Sequence, residues 1–199
     1  MDQNEHERLI RAYYAPLLTE HGMTPQVVGW LYDELQSVRF AVLSAVGLFK
    51  AKSILDVGCG VGHLLGWLKE RGFTGGYTGL DLQVEMAARA AAAHPDYIFE
   101  TGNLLDQPGR WQAEFVVASG IFHLADKATL ENTIAAMFDC ATRGVAFNVL
   151  STWYDRPDPA GFPHHDPLET LTFCRTLTPW VTLRHDYFAQ DFTIYMYRS

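Results

Sequence analysis

Ile54-Leu55-Asp56-Val57-Gly58-Cys59-Gly60-Val61-Gly62 is the stretch that decides the fold of this 199-residue chain. The apolar residues before the glycines predict a short buried strand, and the amphipathic run up to Glu70 predicts a helix. Glycine lets the backbone turn sharply and approach a ligand closely, while the start of the helix offers N–H groups that the helix itself does not use. The same glycines also suit a strand-to-helix turn that binds nothing.

Two acidic residues narrow the class of ligand that the glycine turn could bind. Asp81 ends the next predicted strand about 20 residues further on, where a carboxylate would meet the hydroxyls of a nucleoside ribose. Nicotinamide cofactors satisfy this pattern too. Asp56 argues against them, because its carboxylate repels a pyrophosphate but suits a cationic aminoacyl group, and we expect it to accept hydrogen bonds from water or from the turn. Leu65 also stands where GxGxxG would have its last glycine.

Strands and helices alternate from Ser53 to Leu150, which is typical of a doubly wound α/β fold with a mostly parallel sheet. The predicted strands are 54–57, 76–81, 97–100, 115–119 and 145–150, and the predicted helices are 62–70, 84–93 and 127–140. A further helix is expected from Asp166 to about Thr176. Two terminal strands, 181–187 and 192–197, are so close in sequence that they must form an antiparallel hairpin.

The first 50 residues are predicted to form a helical extension. One helix is expected over 6–18, and a second runs from Thr24 and Pro25, as N-cap and first-turn proline, to about residue 46. Its apolar residues recur at helical spacing and should pack on the body of the protein. They are Leu31, Leu35, Val38, Val42 and Val46.

The run 54–62, followed by Gly79-Leu80-Asp81, resembles the class I S-adenosylmethionine-dependent methyltransferases, most clearly between Lys52 and Leu150. The resemblance implies a Rossmann-like, seven-stranded sheet of order 3-2-1-4-5-7-6 with strand 7 antiparallel. It implies a single methyltransferase domain over 1–199, in which 1–50 is a helical extension or lid and 51–199 is the α/β body. The implied cofactor is S-adenosylmethionine, and the expected acceptor is a small molecule.

The resemblance also assigns cofactor-binding residues to the ends of the strands. The three glycines would line the methionine part, Asp81 would bind the ribose hydroxyls, and Asn103 would meet the adenine amino group. The full predicted set is Asp56, Gly58, Cys59, Gly60, Gly62, Asp81, Leu82, Asn103, Leu104, Ser119 and Gly120.

The candidate base for methyl transfer is His123, which follows the fourth predicted strand beside the expected sulfonium. A histidine at this place can equally be structural and pack over the cofactor. Gln36 and Arg39 share a helical face, and solvent exposure is the favoured interpretation of both over contact with the cofactor carboxylate. Trp153 and Tyr154 follow the fifth strand, where ligands of open α/β sheets bind, and are candidates for contact with the acceptor.

The composition of the chain argues against some classes of binding partner. A formal net charge of −8 leaves no broad basic surface for nucleic acid or an anionic membrane. The segment 119–122 also lacks the Asn/Asp-Pro-Pro-aromatic arrangement that amino-group nucleobase methyltransferases resemble. The apolar run 40–49 is too short to cross a bilayer, and the acidic start of the chain is unlike a signal peptide, so we expect a cytoplasmic protein.

The three cysteines, Cys59, Cys140 and Cys174, have no paired spacing, which argues against a disulfide framework or a zinc site, and no metal is expected. A monomer and a homodimer both remain open. The alternative to an active enzyme is a catalytically silent domain of the same fold that binds the cofactor or a partner protein, because no residue excludes it.

Overall fold

A single sheet organises the molecule. The computed structural model describes residues 3–21, 24, 33–107, 109–155 and 161–199. The strands are β1 (Ser53–Val57), β2 (Gly76–Asp81), β3 (Ile98–Thr101), β4 (Ala113–Ala118), β5 (Ala141–Leu150), β6 (Val181–Phe188) and β7 (Asp191–Tyr197). Their order is β3-β2-β1-β4-β5-β7-β6, and β7 is antiparallel to both of its neighbours. The predicted fold class, strand order and antiparallel seventh strand are confirmed.

Helices cover both faces of this sheet. They are α1 (Gln3–His21), α2 (Asp33–Ser44), α3 (His63–Glu70), α4 (Val84–Ala93), α5 (Lys127–Cys140) and α6 (Pro167–Leu177). The Asp126 carboxylate caps α5 by accepting a hydrogen bond from the N–H of Thr129 at 2.9 Å, and Asp166 caps α6 in the same way. Among these described helices, none is both long enough and apolar enough to cross a membrane.

Alternate residues of each strand face opposite layers of the core. In β1, Leu55 packs in the layer that α5 and α6 cover, whereas Ile54 packs in the layer that α2 and α3 cover. In β5, Phe147 packs in the first of these layers and Ala146 packs in the second. Because both layers are apolar, the strands read as continuous hydrophobic runs, which is why their positions were predictable.

The extension departs from the prediction. The predicted start of the second helix at Pro25, and Leu31 of its apolar stripe, lie outside the described residues. In α2, Val38 is exposed, whereas Gln36 and Arg39 are 8% and 5% exposed, so the expected exposure of both polar residues is wrong. Arg39 can be buried because its guanidinium forms an ion pair with the carboxylate of Asp191 on β7.

Strand β5 begins four residues earlier than predicted, since Ala141 follows α5 without a loop. Thr142 and Arg143 are polar, so this part of the strand lacks the apolar run by which the other strands were predicted. Arg143 is exposed and lies 3.5 Å from the Glu114 carboxylate of the neighbouring strand, so the polar residues extend β5 at its exposed end.

Candidate active site

A cavity lies at the carboxyl ends of β1, β2 and β4, where the chain leaves the sheet in opposite directions. The residues predicted for the site that line it are Asp56, Gly58, Cys59, Gly60, Asp81, Leu82, Asn103, Leu104, Ser119, Gly120 and His123. Helix α1 lines the cavity from the opposite side. Its contribution consists of Gln3, His6, Ile10 and Tyr14.

The glycine turn is held against the end of β2. The carbonyl oxygen of Leu80 accepts a hydrogen bond from the N–H of Gly58 at 2.7 Å, and φ at Gly58 is +73°. A Cβ on Gly58 would lie 2.2 Å from Cγ2 of Ile121, so this position requires glycine for steric reasons as well.

Gly62 is the one predicted site residue that does not line the cavity. It is the N-cap of α3 with φ +85°, and a Cβ there would lie 2.9 Å from Cδ2 of His94. Gly62 therefore has a structural role whether or not a ligand binds, and its contact with the cofactor stays a prediction.

Asp81 joins the turn to the start of α4. One carboxylate oxygen accepts a hydrogen bond from the N–H of Gly60 and the other from the N–H of Gln83, each at 2.8 Å. Burial raises the pKa of Asp81, and these two hydrogen bonds oppose that shift. The Leu82 backbone also hydrogen-bonds this carboxylate, which has about four lone-pair sites and can therefore still accept a hydroxyl donor from a ligand.

Asp56 is buried beneath the turn, with 3% of the residue exposed. It accepts a hydrogen bond from the hydroxyl of Tyr77 on β2, whereas the sequence led us to expect water or the N–H groups of the turn. Burial raises the pKa of Asp56 to about 7; the nearby Asp81 charge acts in the same direction, and the Tyr77 bond opposes it. Asp56 is thus a carboxyl group that changes charge near neutral pH.

Helix α1 is fastened to the loop that follows β3 and to α4. The Asn103 amide donates a hydrogen bond to Glu7 at 2.7 Å, and the Gln3 amide donates one to Asp106. Further along, the Arg89 guanidinium donates to the carbonyl oxygen of Leu18 at 3.0 Å. The bonds of Glu7 and Gln3 tie α1 to the loop that carries the predicted cofactor-binding residue Asn103.

His123 lies in a short 3-10 turn, Phe122–Leu124, directly after β4. Its Nδ1 is 2.8 Å from the carbonyl oxygen of Gly120. Rings surround the imidazole: the centroid of Phe162 is 4.8 Å away, and those of Tyr13 and Tyr14 are 5.2 and 5.9 Å away. The contacts hold the imidazole in place at the wall of the cavity.

The side chain of Asn148, on β5, makes hydrogen bonds to the segment that follows β4. Its amide oxygen accepts a hydrogen bond from the N–H of Gly120 at 2.9 Å, and its amide nitrogen is 3.2 Å from the Ser119 hydroxyl. Sequence reasoning missed Asn148 because it lies within an apolar strand. A polar side chain within a strand that is buried on both faces needs a hydrogen-bond partner, and this could have drawn attention to Asn148 in the sequence.

Gln36 was wrongly interpreted from the sequence, whereas the acceptor contacts of Trp153 and Tyr154 stay predictions. Gln36 lines the cavity, and its amide nitrogen lies 3.3 Å from Nδ1 of His63 at the start of α3. Trp153 does not line the cavity; it is half exposed and packs on the ring of His185 at 5.1 Å. Tyr154 is likewise absent from the described lining. Within the described part of the chain, no cluster of three His, Cys, Asp or Glu side chains is arranged to hold a metal ion.

Comparisons with known proteins agree with this geometry. Residues 54–144 match a family model described as a methyltransferase domain. Rv1506c of Mycobacterium tuberculosis, itself assigned as a methyltransferase by inference only, is 35% identical over 156 residues, which are 71% of this chain and 90% of that protein. Trans-aconitate 2-methyltransferase of the same species is 34% identical over 84 residues; the match covers 42% of this chain and 31% of that enzyme.

Solved structures share the fold. Magnesium protoporphyrin IX methyltransferase (ChlM) from Synechocystis PCC 6803, with bound SAH, superposes with a TM-score of 0.71 at 14% identity and covers 98% of this chain and 100% of its own. An O-methyltransferase family protein from Burkholderia thailandensis gives 0.69 at 16% identity and covers 97% of this chain and 70% of its own. At such identities the likeness concerns the fold alone.

Proposed function

The chain belongs to the class I S-adenosylmethionine-dependent methyltransferases, and we propose that it methylates a small molecule in the cavity between the glycine turn and α1. The cofactor supplies an electrophilic methyl group on a sulfonium, and the protein supplies the geometry of its transfer. The observation that carries the proposal is the convergence of Asp56, Asp81 and His123 on one cavity.

The charges of the cavity favour this cofactor. Asp56 and Asp81 line it, and the described lining contains no lysine or arginine. Asp81 suits the ribose of either kind of cofactor, but Asp56 at the start of the glycine turn suits a cationic aminoacyl group and would repel a pyrophosphate. Asp81 would hold the ribose, Gly58 and Gly60 would allow the methionine part to approach the backbone, and Asn103 would face the adenine.

His123 is the proposed base. Its bond to the Gly120 carbonyl oxygen requires the proton on Nδ1, so Nε2 is the lone-pair nitrogen of the neutral ring. The acceptor would lose its proton to Nε2 as its new bond to the methyl carbon forms; the carbon–sulfur bond breaks, and its electron pair stays on sulfur.

A tricarboxylate such as the substrate of the trans-aconitate enzymes is not the acceptor that we propose. The 84 residues shared with those enzymes are under half of this chain. A ligand with several carboxylates is best held by arginine or lysine, and the described lining offers neither. The proposed acceptor therefore lacks negative charge.

Helix α1 would act as a lid, because it lines the cavity and side-chain hydrogen bonds tie it to the loop after β3 and to α4. A lid of this kind excludes water from the transfer and completes the acceptor site.

Calorimetry tests the choice of cofactor. We expect S-adenosylhomocysteine to bind with micromolar affinity and NADH to release no heat, because the Asp56 carboxylate opposes its pyrophosphate. Binding of NADH without binding of S-adenosylhomocysteine would refute the proposal.

Turnover is then followed as S-adenosylhomocysteine release with a panel of small hydroxyl, thiol and amine compounds. His123→Ala should lower turnover at least about 100-fold and keep the cofactor affinity. Unchanged turnover would eliminate His123 as the base. Cofactor binding by the parent with no turnover of any acceptor would favour the catalytically silent domain.

A further inference from the structure

Helix α1 presents two neighbouring faces to the cavity. Gln3 and Glu7, four residues apart, bond to the loop of Asn103 and Asp106, which is the side proposed for adenine. His6 lies on the adjoining face, 100° around the helix from Glu7, and turns toward the segment of His123. The backbone of Leu124 hydrogen-bonds the His6 imidazole, which places this residue on the acceptor side.

His6 is a buried polar residue with an unused nitrogen. It is 9% exposed and lines the cavity, and its Nδ1 makes no hydrogen bond to any residue that the structure describes. Burial lowers the pKa of His6, so the ring is neutral at pH 7. Because the Leu124 carbonyl takes the ring N–H, the remaining nitrogen is a hydrogen-bond acceptor. Buried polar atoms are rarely left without a partner, so a ligand that donates a proton here is favoured.

The surroundings restrict what that ligand is. The imidazoles of His123 and His6 lie on the acceptor side, and no described lysine or arginine lines the cavity. Aromatic side chains line the cavity near His123, namely Phe122 and Tyr14, and the Tyr14 ring centroid is 5.9 Å from that of His123. An uncharged ring compound fits such walls better than a carboxylate does.

We propose that the acceptor is an uncharged aromatic compound with two hydroxyl groups, one donating a hydrogen bond to Nδ1 of His6 and the other losing its proton to His123. This inference rests on the proposed function of the cavity. His6 is then a specificity-determining residue that selects acceptors with a second donor.

The test uses the complex of the full chain with S-adenosylhomocysteine and five probes: phenol, catechol, resorcinol, hydroquinone and benzoate. In the parent, the best dihydroxybenzene should bind about fivefold more tightly than phenol, the gain expected of one neutral hydrogen bond, and benzoate should bind more weakly than phenol. In His6→Phe this preference should vanish, so that phenol and the best dihydroxybenzene bind equally well when the ratio of their affinities is measured in the same variant. His6→Asn, which restores an acceptor near Nδ1, should recover part of the preference.

Several results overturn the inference. One is a dihydroxybenzene preference that survives in His6→Phe, and another is benzoate binding more tightly than every hydroxyl probe. If His6→Phe fails to fold, the ¹⁵N resonance of His6 Nδ1 in the parent decides: it must shift when the preferred probe is added, and a fixed resonance refutes the contact. Failure of the parent to bind S-adenosylhomocysteine would instead overturn the proposed function itself, so the two failures are distinguishable.

Discussion

Replacing Asp56 by asparagine should remove a pH-dependent loss of stability. The pKa of Asp56 rises from 3.8 to about 7 on folding, because the carboxyl group is buried. Below pH 3.8 the group is protonated in both the folded and the unfolded chain and costs nothing. Between these pH values only the unfolded chain releases the proton, so the free energy of unfolding falls as pH rises, by about 4 kcal/mol in total for roughly three pKa units.

The assay is urea unfolding of the parent and Asp56→Asn at pH 5 and pH 8. Asparagine keeps an oxygen that accepts the Tyr77 hydroxyl hydrogen bond, so the comparison isolates the charge. The advantage of the variant over the parent should grow by about 2.5 kcal/mol between these two pH values. Tyr77→Phe is the matched control: without its hydrogen bond the pKa of Asp56 rises further, and the transition moves to higher pH. Parallel pH dependence of parent and Asp56→Asn would refute the reasoning.

The same titration governs cofactor affinity. If ionised Asp56 attracts the ammonium group of S-adenosylhomocysteine, a group with pKa near 7 is about one-tenth ionised at pH 6 and nine-tenths at pH 8. Affinity of the parent should therefore rise about tenfold over this range relative to Asp56→Asn, measured by calorimetry. Both proteins bind the same ligand, so the titration of the ligand cancels in the ratio of their affinities. If this ratio does not change with pH, Asp56 does not act on the cofactor.

Three other substitutions probe the proposed ribose contact, a buried ion pair and the lid. Asp81→Ala should weaken S-adenosylhomocysteine binding about 10- to 100-fold in calorimetry, because charge-assisted hydrogen bonds to the ribose are lost; parent affinity would remove Asp81 from that role. Arg39→Met should lower the free energy of urea unfolding by about 3 to 5 kcal/mol, since Asp191 is 1% exposed and would keep a buried charge, and adding Asp191→Leu should restore most of the loss. Glu7→Ala should speed hydrogen exchange along α1 and leave β1 unchanged, because only the lid loses a bond; equal exchange in parent and variant would contradict this.

The cofactor side was predictable because its residues sit at strand ends. Asp56 is the last residue but one of β1 and Asp81 is the last residue of β2, and pairing of Asp56 with Gly79 sets these strands in register. Local apolar runs locate the strands, and the topology of parallel crossovers brings their carboxyl ends to one edge. All the predicted site residues except Gly62 therefore line the cavity, although no side-chain contact was known when they were predicted.

The acceptor side was not predictable, because it depends on contacts between distant segments that no local pattern encodes. His6 reaches the cavity only because Glu7 and Gln3 fasten α1 to a loop about 100 residues away. Each of these residues, taken alone, reads as part of a solvated polar helix. Burial of His6 and of Arg39 is likewise decided by partners on other elements, Leu124 and Asp191. A fold family can thus keep one cofactor turn while the helix packed over it selects a different acceptor.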